Sequence, residues 1–418
     1  MRKKVQWGFL AAVLTVGLAL AGCGGSDSAG TSGTSNNANS ASSGTSAQAG
    51  DSSEGSGSAD GGKILIATQT PLSGSQSAIG DAIKSGAEMA LNERKEEFKK
   101  MGFDLQLFPQ DDQGDPKQGV ANAEMLIGNP DVFGVVGHYN TGVAIPASVK
   151  YEEGNLVMVS PANTGVTLTE EGKKTVHRVC GRDDLEGPKA AQYAKNTLNV
   201  KSAFIIHDKT AYGQGVAEQV KMQFERDGVQ VLGFEGITPG EKDYSAVVNL
   251  AVSTKPDLIY FGGLYPEGGL LVKQAREKSF QGIFMGGAGL ASADFVKIAG
   301  PAAEGVLFAS ITGDVTQTEE GRKWAADYER QFGKKPESFS AYAYDAMNVI
   351  LNGVKEAIQA NGGKRPTREQ VLEAVHKTKD FKGMVTTVTF DEKGDNLFAD
   401  VFMYKFENGE QVYVGKIE

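Results

Sequence analysis

The chain has 418 residues, 54 of them glycine, with 22% charged residues and a formal charge of −10. That length accommodates two globular domains, and the composition excludes collagen and a multi-span membrane protein. The acidic balance argues against nucleic acid as a partner.

The first residues, MRKKVQWGFLAAVLTVGLALAGC, combine a basic start, an apolar run from Phe9 to Leu20 and small residues before Cys23. This is the layout of a secretory signal, too short and too asymmetric for a spanning helix. Leu20-Ala21-Gly22-Cys23 resembles the bacterial lipobox, which implies lipid attachment at Cys23 after removal of residues 1–22. Cleavage would remove Arg2, Lys3 and Lys4 and no acid, taking the charge from −10 to −13. With Cys23 acylated, Cys180 has no partner, so neither an intramolecular disulfide nor a cysteine zinc site is expected. The protein is thus expected on the outer face of the cell membrane, on the periplasmic side if the envelope has two membranes.

After Cys23, residues 24–62 are Gly, Ser, Ala, Thr and Asn with one Gln and a few acids, a composition that cannot bury enough surface to offset chain entropy. Residues 23–62 are expected to act as a flexible tether. Order is predicted to begin with a strand at Lys63–Thr68. A helix follows from about Ile79, with Ile83, Ala87, Leu91 and Phe98 near helical spacing. Phe103 to Phe108 alternates as a strand, and Pro116 suits the first turn of the next helix. Val132–Val136 and Leu156–Val159 read as buried parallel strands around a helix near Val143 to Glu152. Their following loops, Gly137 to Gly142 and Ser160 to Thr164, are rich in glycine, asparagine and hydroxyl residues. Loops at the carboxyl ends of parallel strands are where open α/β sheets bind ligands, so this stretch is predicted to hold a small molecule.

The pattern restarts after Gly187-Pro188, with strands at Ala203–Ile206, Gln230–Phe234, Leu258–Phe261, Ile283–Met285 and Val306–Phe308. Helices are predicted from Gly187-Pro188 to about Leu198 and at Gly215–Arg226, Tyr244–Val252 and Glu267–Lys278, then near Glu319–Phe332, Ala341–Ala360 and Arg368–His376. A β-rich tail runs from Met384 to Lys416. Strand and helix alternate throughout, which predicts an α/β chain of two Rossmann-like lobes with parallel sheets covered on both faces.

Catalytic patterns are absent from the sequence. His138, His177, His207 and His376 are not in metal-binding spacing and are expected as polar loop or helix residues. There is no GxSxG, and Cys180 lies in RVCGRDD without the pattern of a nucleophile. Gly213-Gln-Gly215 and Gly287-Ala-Gly289 lack the third glycine of a dinucleotide loop. No cofactor and no metal are therefore expected. Asp111-Asp112 in DDQGDP reads as turn and helix-start chemistry, since adjacent aspartates point to different sides.

A run of segments in order resembles the leucine/isoleucine/valine-binding proteins, type I periplasmic binding proteins that serve ABC transporters. These are Asp111-Asp112 with Asp115-Pro-Lys-Gln118, Gly137-His138, Pro146-Ala-Ser148, Ser160-Pro-Ala162, His207-Asp-Lys209 with Tyr212-Gly213, and Gly240-Glu-Lys-Asp-Tyr244. Pro266-Glu267, Phe284-Met-Gly286, Ala303-Glu-Gly305 and Asp391-Glu-Lys-Gly394 extend the run. The resemblance implies two lobes joined by a three-crossing hinge, 63–183 with about 311–388 and 184–310 with about 389–418. It also implies a ligand in the cleft and closure on binding.

By the same resemblance, Thr141, Ala162 and Thr164 would hold a ligand carboxylate, with Tyr139 and Asn140 beside them, and Tyr212 would lie against the ligand side chain. Charge-assisted hydrogen bonds of this kind are each worth about 1.5 to 3 kcal/mol. The family's acid for the α-ammonium falls at Ala288, and two aromatic pocket positions fall at Ile79 and Leu264. A methyl cannot pair a charge, and burying an unpaired ammonium costs several kcal/mol. Either another acid serves, with Asp183 and Asp184 as candidates, or the ligand is not an α-amino acid. The expected function is a monomeric solute receptor docking on ABC permease subunits. Its solute would be a branched-chain-type amino acid, or alternatively an aromatic or other organic acid or an amide. A tethered enzyme and a ligand sensor for a signalling partner are the readings from other classes.

Overall fold

The computed structural model describes residues 62–418; the expected signal, Cys23 and nearly all of the expected tether lie outside them. Among the described residues no helix is long and apolar enough to cross a membrane.

The chain opens with β1 (Lys63–Thr70), α1 (Ser77–Lys100), β2 (Asp104–Asp111), α2 (Pro116–Gly128), β3 (Val132–Gly137), α3 (Thr141–Glu153), β4 (Met158–Ser160), α4 (Thr167–Glu170) and β5 (Val176–Arg178). These strands form a five-stranded parallel sheet in the order β2-β1-β3-β4-β5. β1 and β3 read as near-continuous apolar runs because helices cover both of their faces; only Lys63 of the two is exposed. The three-residue β5 has no period for a sequence pattern to register, and it was not anticipated.

The second half begins with α5 (Asp183–Asn196), β6 (Ser202–His207), α6 (Ala211–Asp227), β7 (Gln230–Gly236), α7 (Ser245–Ser253), β8 (Leu258–Gly262), α8 (Tyr265–Glu277), β9 (Ile283–Gly286), α9 (Ala293–Ala299) and β10 (Leu307–Ser310). It ends with α10 (Glu319–Phe332), α11 (Ser340–Ala360), α12 (Arg368–His376), β11 (Phe381–Lys382), β12 (Thr387–Val388), β13 (Phe402–Glu407) and β14 (Glu410–Lys416). The second sheet is seven-stranded, β14-β13-β10-β9-β8-β6-β7, parallel through its older strands and antiparallel where β13 and β14 join. The sequence placed the start of α5 too late. The helix begins at Asp183 and carries Pro188 inside it.

Three segments cross between the sheets: after β5, after β10 and after β12. The last crossing returns to the first, where Asp395 contacts Arg178 at 2.6 Å and Arg182 at 2.7 Å. The helices α10 to α12, although they follow the second sheet in sequence, cover the first. Ile79, Ile83, Ala87, Leu91 and Phe98 of α1 are fully buried in the same cluster as Met347, Ile350 and Val354 of α11. Full burial of each such side chain is worth about 1.5 to 3 kcal/mol. The two helices approach closely enough that a Cβ on Gly86 would lie 2.0 Å from the Ser340 carbonyl oxygen.

The DDQGDP segment has the structural role read from it. Asp115 caps α2 by accepting from the Lys117 and Gln118 amides, with Pro116 at the helix start. Asp111 accepts from the Leu72 amide at 2.8 Å, whereas Asp112 turns inward to His138 at 3.0 Å. The histidines differ from expectation. His138 and His177 are fully buried, the first between Asp112 and Tyr151, the second 3.1 Å from His376 at the end of α12. Each has a polar partner, which is what permits a polar ring in an interior.

Candidate ligand-binding site

The carboxyl ends of β3 and β4 face those of β6, β8 and β9 across a cavity of about 400 Å³. That lies at the small end of the usual range for ligand cavities. Tyr139, Asn140, Thr141, Ala162 and Thr164 line it from the first sheet, and Tyr212, Leu264 and Ala288 from the second. Three residues offered for the site by the sequence are elsewhere. Ile79 is wholly within the α1 core. Asp183 is buried one layer behind the lining, while Asp184 stays on the surface, paired with Arg182 at 2.7 Å.

The first-sheet wall is built to receive an anion. α3 starts at Thr141, and its cap residue Asn140 makes no side-chain capping bond. The Val143 and Ala144 amides bond back to the Asn140 carbonyl, which leaves the amides of Thr141 and Gly142 as the free first-turn donors. The Thr164 hydroxyl, 1% exposed, makes no hydrogen bond of good geometry. Asn163 fixes the two loops against each other. Its side chain accepts from the His138 amide at 2.9 Å and donates to the Tyr139 carbonyl at 3.0 Å. Behind this, the buried Arg178 guanidinium donates to the carbonyls of Asn163 and Gly165, on either side of Thr164.

The remaining wall is largely apolar. Tyr139 and Phe339 meet edge to face with ring centroids 5.7 Å apart, and Val143, Pro239 and Leu264 continue the surface. Burial and the neighbouring acids push the Tyr139 hydroxyl well up from its ordinary range. Two acids of the second sheet also line the cleft. Asp208, raised to about 6 by burial, already accepts from the Thr210 amide and hydroxyl. Glu267 accepts from the Gly240 amide at 3.0 Å. Gln76, Phe339 and these acids were missed as site residues by the sequence reading. Asp208 and Glu267 stood in segments quoted for the resemblance, but Phe339 arrives from a distant part of the chain with no local signal.

At the position expected to lack a charge, the turn of Gly287 to Leu290 is held from behind. The Ala288 amide donates to Glu186 at 2.7 Å and the Gly289 amide to the Tyr212 hydroxyl at 2.8 Å. A Cβ on Gly287 would lie 2.4 Å from Glu186 Oε1, so only glycine allows this approach. The two walls are in contact. The Tyr265 hydroxyl donates to the Ser75 carbonyl at 2.7 Å, and the Ala293 amide donates to Glu337 at 3.2 Å.

A cleft enclosed by two such sheets, with strand ends facing each other, is a receptor architecture. The sequence profile of the periplasmic binding proteins matches residues 63–411. The chain belongs to the periplasmic binding protein family. Among relatives of this periplasmic binding protein, the Leu/Ile/Val-binding protein BraC3 of Rhizobium johnstonii is 36% identical over 349 residues, 84% of this chain and 93% of that one. The Leu/Ile/Val-binding protein homolog 2 of Brucella abortus is 33% identical, over 83% of this chain and 91% of its own. The crystal structure of a leucine binding protein, LivK, from Thermotoga maritima superposes with a TM-score of 0.78 at 28% identity, covering 85% of this chain and 99% of that chain. A periplasmic binding protein is a solute receptor, not an enzyme.

Proposed function

We propose that the protein is the monomeric, lipid-anchored receptor of an ABC importer. Its solute is a small α-amino acid with an aliphatic side chain of the branched-chain type. The observation that carries this reading is the pairing of the free α3 amides with Thr164, whose hydroxyl is unbonded, at a cavity with a largely apolar far wall. A carboxylate satisfies those donors, and an aliphatic group fills the space between Val143, Leu264 and Phe339. The names borne by the relatives support the solute class. The Leu20-Ala21-Gly22-Cys23 pattern supports attachment through Cys23, with closed lobes presented to permease subunits.

A thermal-shift screen of amino acids, organic acids and amides tests the solute class, because the melting shift grows as RT ln(1 + [L]/Kd). A branched-chain amino acid is expected to give the largest shift. The double variant Thr141→Ala/Thr164→Ala is expected to lose about 150-fold in affinity, two charge-assisted bonds at the lower end of about 1.5 kcal/mol each. An unchanged affinity in that variant sinks the carboxylate assignment. The methyl at Ala288 favours one second reading, a carboxylic acid without an ammonium. In that case only non-amino acids would shift the melting temperature.

A further inference from the structure

Ala288 and Thr164 both line the cleft, and each has a buried carboxyl immediately behind it. Glu186 accepts from the Ala288 amide at 2.7 Å. The Asp183 amide donates to the Thr164 carbonyl at 2.9 Å, and the Asp183 carboxyl faces the Thr164 hydroxyl. Both acids stand in the first turns of α5 and are at most 1% exposed. Around them, Asp183 Oδ1, Glu186 Oε2, Thr164 Oγ1 and the Tyr260 hydroxyl are all buried without a hydrogen bond. Unpaired polar atoms are few in native interiors, and here two carboxyl oxygens and two hydroxyls are grouped behind one face of a ligand cavity. The two guanidiniums that face Asp183 are already engaged. Arg178 is committed to Asp395 and to the Asn163 and Gly165 carbonyls, and Arg182 to Asp184 and Asp395.

Bond lengths keep an α-ammonium about 2.5 Å from its carboxyl carbon. With the carboxylate on Thr141, Thr164 and the α3 amides, the ammonium stays close to Thr164. Of the two acids on the cleft wall, Asp208 is held by the Thr210 amide and hydroxyl, and Glu267 is tied to the Gly240 loop and stands with Pro239 and Leu264. We infer that Asp183 and Glu186 together are the counter-charge for the ligand's α-ammonium, replacing an acid on the cleft wall, and that the pair releases a proton to solvent when the ammonium docks. This rests on the amino-acid function proposed above.

The energetics agree with that assignment. Burial pushes the Asp183 carboxyl up to about 7, against the pull of the Thr164 hydroxyl and Arg178, with Asp184 and Arg182 also facing it. Burial and then Asp183 push Glu186 up to about 8, with the Ala288 amide holding it down. Tyr212 of α6 and Tyr260 of β8 also face Glu186, and Cys180 faces Asp183. Two neighbouring carboxyls in a dry site share protons until a cation arrives. Below the pair's range a proton must leave before the ammonium is matched, so affinity for an amino acid rises between pH 6 and 8. A carboxylate without an ammonium gains nothing from the ionised pair, and its affinity stays level or falls.

The test is calorimetric titration of the protein with L-leucine and with 4-methylpentanoate, the same skeleton without the amino group, at pH 6, 7 and 8. Glu186→Gln is the main variant, since it keeps an acceptor for the Ala288 amide but cannot ionise; Asp183→Asn and Glu267→Gln accompany it. The expected result has four parts. The parent prefers leucine at least tenfold, its leucine affinity rises with pH, and its binding heats in buffers of different ionisation enthalpy report proton release. Glu186→Gln loses at least tenfold for leucine at pH 8 and flattens the pH profile, while its affinity for 4-methylpentanoate changes less than twofold. Equal losses for the two ligands, an unchanged pH profile, or a leucine-selective loss only in Glu267→Gln would overturn the assignment. A parent that binds the two ligands equally overturns it while leaving the carboxylate grip standing. A parent that binds neither overturns the amino-acid function, and this inference with it.

Discussion

Arg178 and Asp395 meet in the interior at 2.6 Å, joining the first passage of the chain between the sheets to the last. The same guanidinium holds the carbonyls on both sides of Thr164, so one side chain couples the hinge to the ligand loop. Removing one partner of a buried ion pair leaves the other uncompensated, at about 3 to 5 kcal/mol. Arg178→Met is therefore expected to lower Tm by on the order of 5 to 10 °C in the ligand-free protein. It should also weaken ligand binding. Calorimetric melts with and without ligand check both effects. A variant with normal melting and normal affinity would remove Arg178 from this role.

The Tyr265 hydroxyl and the Ser75 carbonyl hold the walls of the cleft together. Tyr265→Phe deletes that bond and little else, since the ring remains packed. One hydrogen bond is worth about 1 kcal/mol net, or roughly fivefold in affinity. The loss is expected in the dissociation rate, because the bond acts only after closure. Stopped-flow dissociation of bound ligand should therefore be about five times faster in the variant. An unchanged dissociation rate would show that the bond contributes nothing to closure.

Much of the first wall was legible in the sequence because its signals are local. A buried strand followed by a glycine- and hydroxyl-rich loop at Gly137 to Gly142 identifies a strand end and a helix start together, and Thr141 is that helix start. Ile79 was misplaced for a physical reason. It lies one helical turn from Ile83, so once α1 forms, both side chains face the same core and Gln76, just before the helix, faces the cleft. Asp183 and Asp184 stood together as candidates for the ammonium's partner. Asp183 opens α5 and is buried, and nothing in GRDD distinguishes it from its exposed neighbour Asp184. Phe339 and Glu186 reach the site only through the tertiary arrangement, which no local pattern encodes.

Gly86 tests the packing of α1 on α11. The Ser340 carbonyl occupies the space its Cβ would need, and backbone cannot rotate away as a side chain can. Gly86→Ala is expected to destabilise by about 1 to 3 kcal/mol, despite alanine's better helix propensity. Urea denaturation measures this directly. A variant as stable as the parent would mean that the helices separate at little cost.

Stability should fall as pH rises through neutrality in the ligand-free protein. Burial pushes Asp345 up to about 8, although it accepts from the Met384 amide. Asp183 and Glu186 are raised likewise. Between the unfolded carboxylate range and pH 8 the folded state binds more protons than the unfolded state. Each such acid therefore contributes a loss of up to about 1.4 kcal/mol per pH unit. His177, pushed down to about 3 by burial and by His376, acts in the opposite sense but only below its unfolded range. Asp345→Asn, far from the ligand, is expected to show a smaller drop in Tm from pH 5 to pH 8 than the parent. Identical pH profiles would place the Asp345 carboxyl in its ordinary range.

The helices that cover the first sheet come from the far end of the chain, and this governs how the protein can be made. While residues up to β10 are emerging, α1 can pack only on the strands of its own sheet, because α11, which covers the rest of its apolar face, has not yet been synthesised. The N-terminal half therefore cannot complete its core during synthesis or export, and its long-range contacts favour slow folding. A chain truncated before α11 would not yield an independent first lobe; it would expose Ile83, Leu91 and Phe98 to whatever else is nearby. The same crossings that allow the two walls to close on a ligand thus leave both lobes unfinished until the end of the chain has been made, the first waiting for α11 and the second for β13 and β14.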